Sequence, residues 1–332
     1  MAGINSALEG GTRHLIDPEL LPMLELSSPL PLDAETLPQF RAMMDAQAEM
    51  AHAALDLTGV VQETRNVPSV AGGPDIPVLV TRPMSGADSG AQKPAVLHVH
   101  GGGMVMGSPG MNAAANADMA RALDCVVVGP DYRLAPETTF PGPLEDCYSA
   151  LSWMVSPASG LDVDPTRVVA LGDSAGGGLA AATALYARDR GGAALAGQLL
   201  VFPMLDHRTG GPDDPYGNPA VGEFIWTRGH NQFGWSALRG AYDLSDGRVG
   251  WFSPSLAADL SGLPPTTILT GSLDLFLDEN FDYASRLVKA GAPVEFVSYP
   301  GAIHAFPVMA DTGVATRFRA DQLNALASML TV

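Results

Sequence analysis

Two glycine-flanked stretches carry the side chains best suited to covalent chemistry. Gly172-Asp173-Ser174-Ala175-Gly176-Gly177 closes the apolar run Val168 to Leu171, and His100-Gly101-Gly102-Gly103 closes the run Ala95 to Val99. A serine hydroxyl is a weak nucleophile near neutral pH until a base takes its proton, and the carbonyl it attacks needs donors for the charge that develops on oxygen. Ser174 is the candidate nucleophile, on a tight turn into an Ala-rich helix whose N-terminus favours negative charge. Such a position also suits a serine that merely caps the helix. The second stretch separates the two readings, because consecutive glycines let backbone N–H groups converge on one point. Gly102 and Gly103, with the N–H of Ala175, are the candidate oxyanion donors. His100 ends the strand that carries them and is read as holding the loop, and His98 is read as a core histidine.

Gly makes up 37 of 332 residues, so a random chain of this composition holds roughly a few tenths of a G-x-S-x-G match but only about 0.01 of a His-Gly-Gly-Gly match. The conjunction, each motif closing a strand-like run, is the specific signal. The base should lie late in the chain, on a loop after a strand, and His304 fits: Val294 to Tyr299 is strand-like and Pro300 to Ile303 presents the histidine. His14, His52, His207 and His230 have no comparable placement. Asp274, following the run Thr266 to Thr270, is the candidate to orient the imidazole. Its rivals Asp278, Glu279 and Asp282 are read as first-turn acids of the next helix.

Positioning these groups requires a regular scaffold. Strand-like runs recur at Val60 to Val70, Ile76 to Thr81, Ala95 to His100, Cys125 to Gly129, Arg167 to Gly172, Gln198 to Phe202, Thr266 to Thr270 and Val294 to Tyr299. The later ones alternate with helical stretches at Pro143 to Val155, Ala175 to Arg188, Asp278 to Ala290 and Ala315 to Leu330. This pattern predicts an α/β fold with a mostly parallel eight-stranded sheet covered on both faces. Asp17 to Leu57 reads as helical, with Phe40, Met43, Met44, Met50, Ala51 and Ala54 on an apolar face. Asp206 to Ser253 reads as an insertion and Ser85 to Gln92 as a surface linker.

The bulk composition excludes several function classes. Thirty-six acids against 18 bases give a net charge of −18, which repels nucleic acid and anionic lipid. Residues 1–23 lack the continuous apolar core of a secretory signal, and no run approaches the ~20 apolar residues of a span. A cytoplasmic protein without stable membrane association is the expectation. Cys125 and Cys147 are read as buried thiols, their spacing matching neither a metal site nor a redox pair.

The order Ser174, Asp274, His304 is that of the α/β-hydrolases, and the chain resembles the bacterial hormone-sensitive-lipase-like esterases. The resemblance runs from Pro94 to Phe306 through the two glycine motifs, Tyr132-Arg133-Leu134-Ala135-Pro136-Glu137, Phe140-Pro141, Asp146, Trp153, Gly262-Leu263-Pro264-Pro265 and Tyr299-Pro300-Gly301. It implies an α/β-hydrolase fold with a helical N-terminal cap over 1–57, joined by 207–250, on a catalytic domain at 58–332. It further implies a carboxylesterase that takes a small-molecule acyl ester of short to medium chain length and uses no cofactor and no metal. A homodimer is compatible with it. Tyr132 to Glu137 and Asp146 are then loop supports, while Met104, Asp173, Phe224, Trp226 and Met43 line the substrate pocket, with Met23, Met44 and Met50 as further candidates. Three positions depart from the family pattern: Leu275 where Pro is usual, Ala305 where Gly is common, and Met104 where an aromatic is frequent. The same acyl-enzyme would also serve a lactonase, an amidase or an acyltransferase. A ligand receptor on this fold, such as the plant gibberellin receptor, lacks the histidine that His304 supplies here.

Overall fold

The computed structural model describes residues 11–25, 30–84 and 92–331. The runs rich in valine, isoleucine and leucine form one eight-stranded sheet: β1 Val60–Val67, β2 Ile76–Pro83, β3 Lys93–Val99, β4 Val126–Pro130, β5 Val163–Asp173, β6 Gly197–Val201, β7 Thr266–Gly271 and β8 Val294–Tyr299. The strand order is β1-β2-β4-β3-β5-β6-β7-β8. β2 is antiparallel to both of its neighbours, and the pairs from β4 through β8 are parallel. Every residue of β4, β6 and β7 is buried, as strands covered on both faces must be. β1 and β8 form the edges, with half-exposed patterns.

Side-chain alternation sorts the core into two layers. Leu97, Val128, Ala170, Leu200 and Ile268 point to one face, where they meet helices α3 (Gly142–Met154), α4 (Ala175–Asp189) and α6 (Leu277–Lys289). Val96, Val127, Val169, Leu199 and Leu269 point to the other, against α2 (Ala113–Leu123) and α7 (Gly313–Leu330). Between β6 and β7, 207–250 contributes no strand but supplies helix α5 (Arg228–Arg239). Among the described residues no helix is long and apolar enough to cross a membrane. Cys125 and Cys147 are buried and free, and burial pushes the Cys125 thiol up to about 12.

The N-terminal segment departs most from expectation. Pro18–Glu25 is a 3-10 segment with Pro22 inside it, because proline withdraws the N–H that a continuing α-helix needs. Helix α1 starts at Leu37 and runs to Ala53. Its inward stripe is Leu37, Phe40 and Met44, at i, i+3 and i+7, while Met43, Met50, Ala51 and Ala54 face outward. Periodicity reveals an apolar face but not that, among the described residues, its outer half is exposed. Helix α2 was not anticipated: its Ala113, Ala117 and Ala120 are buried, small residues that permit close packing without an apolar run to betray it. The expected linker at Ser85 to Gln92 lies, but for its last residue, outside the described residues.

Candidate active site

β5 ends at Asp173 and α4 begins at Ala175, leaving Ser174 alone to reverse the chain at φ +57°, ψ −119°. A non-glycine residue there carries roughly 1–3 kcal/mol of strain. The surrounding structure holds it: the Ser174 N–H donates to Val201 O at 2.8 Å, and its carbonyl accepts from Met204 N–H at 3.0 Å. The turn closes only on glycine, since a Cβ at Gly172 would lie 2.1 Å from Gly176 O and one at Gly176 would lie 2.1 Å from Val99 O. The Ser174 hydroxyl makes no helix cap. It donates instead to His304 Nε2 at 2.9 Å.

The His304 ring is fixed from its other nitrogen. Nδ1 lies 2.7 Å from Asp274 Oδ2, and a carboxylate can only accept, so Nδ1 carries the proton and Nε2 is free to receive one. Asp274 is fully buried, and its Oδ1 accepts the Phe276 N–H at 2.9 Å. The loops after β7 and β8 are stitched together by Leu273 N–H to Ala302 O at 2.9 Å and Gly301 N–H to Ser272 Oγ at 2.8 Å. Residues near 17–23 lie under this junction, with Asp17 N–H donating to Gly301 O at 3.0 Å. Met23 is buried in the core layer that also holds Tyr299, Ala302 and Ile303.

Beside Ser174 runs the glycine loop, where a Cβ on Gly101 would sit 3.4 Å from the Ser174 Cβ. Gly102 and Gly103 have φ of +117° and +62°. Among the described residues neither N–H meets a backbone acceptor, and Ala175, first in α4, has no intrahelical acceptor. His100 is buried, stacks on Tyr132 at 4.2 Å and donates from Nδ1 to Gly101 O at 2.8 Å. Burial holds its imidazole down at about 4, so it is neutral and unsuited to act as base. The Gly101 carbonyl and the Gly102 N–H share one planar trans peptide, so this bond also aims the Gly102 N–H. His98 is buried with Nδ1 2.6 Å from Asn116 Oδ1 and Nε2 2.8 Å from Asp173 Oδ2.

The pocket candidates divide. Trp226 lies on Gly103, with its ring centroid 6.2 Å from that of His304. Asp173 does not serve as pocket wall: its Oδ2 is held by His98 and by Asn112 Nδ2 at 3.2 Å, which makes it part of the frame of the turn. Met104 is buried, its Cε directed toward Gly178 in α4, filling the core under the loop. Phe224 is half-buried against the second core layer. Met43, 39% exposed, lines an apolar cleft of about 200 Å³ with Leu30, Gln39 and Phe40. Two aromatic neighbours of the imidazole escaped notice in the sequence: Phe202 at 4.8 Å and Phe276 at 5.4 Å between ring centroids. Their signal was position, at the end of β6 and two residues after Asp274.

Two of the three rival acids are occupied elsewhere. Asp278 accepts from Asn218 at 2.7 Å. Glu279, far from acting as an exposed first-turn acid, is buried, accepts from Leu205 N–H at 2.6 Å and from the Thr209 hydroxyl, and is pushed well up by burial. Of the loop supports, Arg133 donates to both oxygens of buried Asp146, at 2.8 and 2.7 Å.

A family model for the alpha/beta hydrolase fold matches residues 96–308, spanning every element that carries the site. The chain is 32% identical over 249 residues to an arylesterase of Saccharolobus solfataricus, covering 74% of this chain and 78% of that one. It is 33% identical over 253 residues to the carboxylesterase NlhH of Mycobacterium tuberculosis, covering 70% and 71%. Among solved structures, a bacterial heroin esterase superposes with a TM-score of 0.87 at 36% identity, over 96% of this chain and 98% of that one. With the eight-stranded sheet and the serine turn at the end of β5, these likenesses make the chain a member of the alpha/beta hydrolase fold family, in its hormone-sensitive-lipase-like branch.

Proposed function

We propose that the protein is a serine carboxylesterase that hydrolyses small-molecule esters with short to medium acyl chains. The observation that carries this reading is the unbroken hydrogen-bonded line from Asp274 through His304 to Ser174. Ser174 Oγ attacks the ester carbonyl as His304 Nε2 takes its proton, and Asp274 stabilises the resulting imidazolium. The N–H groups of Gly102, Gly103 and Ala175 receive the developing oxyanion. Collapse expels the alcohol with the proton from His304 and leaves an acyl group on Ser174. Water then gives a proton to His304 and attacks, and a second collapse releases the acid and restores the serine.

The indole of Trp226, lying on Gly103 and 6.2 Å from the His304 ring, favours a compact acyl group. We assign the cap to 1–57 with 207–250, and the catalytic domain to 58–332. Contacts from Phe40 on α1 to His230 on α5, and on to Trp226, support joint coverage by the two segments. The two free buried thiols suit a reducing, cytoplasmic setting.

The test compares wild type with Ser174→Ala on a short-chain aryl ester. The expected loss in kcat is on the order of 10^6, as when a serine hydrolase loses its nucleophile. Equal turnover by both proteins would remove Ser174 from the mechanism.

A further inference from the structure

Arg41 on α1 reaches the oxyanion loop from the N-terminal segment, separately from Trp226, which lies on Gly103. Arg41 donates from Nε to Val105 O at 2.8 Å and from Nη2 to Ala135 O at 3.0 Å, while Nη1 and Nη2 grip the Glu137 carboxylate at 2.8 Å each. The guanidinium fork can make all these bonds at once because its donors are coplanar and fixed in direction.

The consequence follows from peptide planarity. Val105 O and the Met106 N–H belong to one peptide unit, so a guanidinium on that oxygen fixes the direction of that N–H. The Met106 N–H donates to Gly102 O at 3.0 Å, joined by the Val105 N–H at 3.1 Å. Gly102 O in turn shares a peptide with the Gly103 N–H, which must therefore point the opposite way. Arg41 is thus two peptide units from a candidate oxyanion donor, and each hydrogen bond in the series polarises the next. A second branch runs through Ala135, whose carbonyl Arg41 holds and whose N–H donates to Met104 O at 2.9 Å. The glycines themselves supply no stiffness, since both sit at positive φ with no side chain to restrict them.

We propose that Arg41 is a positioning residue for the oxyanion hole, aiming the Gly103 N–H through the Val105–Met106 and Gly102–Gly103 peptides. The proposal rests on the esterase reading above and deepens it: α1 then serves transition-state stabilisation as well as covering the pocket. Loss of the guanidinium loosens a donor without removing it. The effect should fall short of the ~100–1,000-fold cost of deleting one outright.

The experiment uses the full chain and Arg41→Met, with steady-state kinetics on a short-chain aryl ester, inhibition by an aryl boronic acid, and thermal melting. The boronate's tetrahedral adduct on Ser174 places an oxygen among the N–H donors, so its affinity reads their alignment directly. We expect kcat and boronate affinity to fall together by about tenfold, KM to stay within about twofold, and added ethylguanidinium to restore part of the activity of Arg41→Ala. Unchanged kcat and boronate affinity overturn the proposal. So does a change confined to KM, which would assign Arg41 to substrate binding. If Arg41→Met does not fold, Arg41→Lys carries the test: one ammonium keeps the charge but cannot hold both carbonyls and Glu137, so the same paired loss is expected and wild-type values are fatal. The Ser174→Ala control separates the two levels, because full turnover there ends the esterase reading whatever Arg41 does.

Discussion

The indole of Trp226 rests on Gly103 so closely that a Cβ on the glycine would lie 2.2 Å from the ring's Cη2. Gly103→Ala must therefore move either the tryptophan or the loop, and it also forces alanine to φ +62°. We expect kcat/KM to fall by about 100-fold or more with the far-ultraviolet circular dichroism unchanged. Trp226→Ala removes the wall instead. Its chain-length profile on a series of p-nitrophenyl esters should shift toward longer acyl groups, and an identical profile would take Trp226 out of the pocket.

Asp274 and its neighbouring acids should separate cleanly in kinetics. Asp274→Asn leaves the geometry but reverses the tautomer preference of His304, for which a loss of about 10^4 in kcat is expected. Asp278→Asn, whose wild-type partner is Asn218, should leave kcat within about twofold, well inside the ordinary effect of a surface change. A large loss in the second variant would reassign the acid.

Acid should weaken the fold through His100. Burial, the largest influence, together with nearby His98, holds its imidazole at about 4, against the opposing pull of the Gly101 carbonyl and Asp173. Unfolding returns it to the ordinary 6.5, so between these values the unfolded chain binds a proton that the folded chain refuses. Stability is intact above pH 6.5 and declines as the pH falls toward 4, by roughly 3 kcal/mol from this group. Urea titrations across that window should show a shallower decline in His100→Asn. An identical slope would mean that His100 does not carry the effect.

The Arg133–Asp146 pair should respond asymmetrically. Asp146 is fully buried while the Arg133 side chain is 33% exposed, so removing the arginine strands a carboxylate, whereas removing the carboxylate leaves a guanidinium that reaches water. Arg133→Ala is expected to cost about 3 kcal/mol and Asp146→Asn distinctly less, by urea unfolding. Equal costs would show that desolvation of the aspartate is not what makes the pair matter.

Ser174, Asp274 and His304 were visible in the sequence because each follows a strand-like run, buried for β5 and β7 and half-exposed for β8, and parallel sheets present chemistry where strands end. The Gly-Gly-Gly loop was visible because backbone donors need residues without side chains. Arg41 left no such mark. Two of its four hydrogen bonds go to backbone carbonyls, which have no letter in a sequence, and on an amphipathic helix it looks like any solvated cation. Asp173 was named for the pocket, yet its carboxylate is held by His98 and Asn112, partners that stand far from it in the sequence. For Met43 the helical stripe shows that a face is apolar, not what packs against it. Phe202 and Phe276 are ordinary core residues until the fold brings them to the imidazole.

Among the described residues β8, the strand that delivers His304, pairs only with β7, whereas Ser174 and the glycine loop rise from β5 and β3, each flanked on both sides. Edges fray before centres. Warming should therefore unseat the proton acceptor while the hydroxyl and the amide donors stay in register, so that heat silences turnover ahead of bulk melting and cooling promptly restores it.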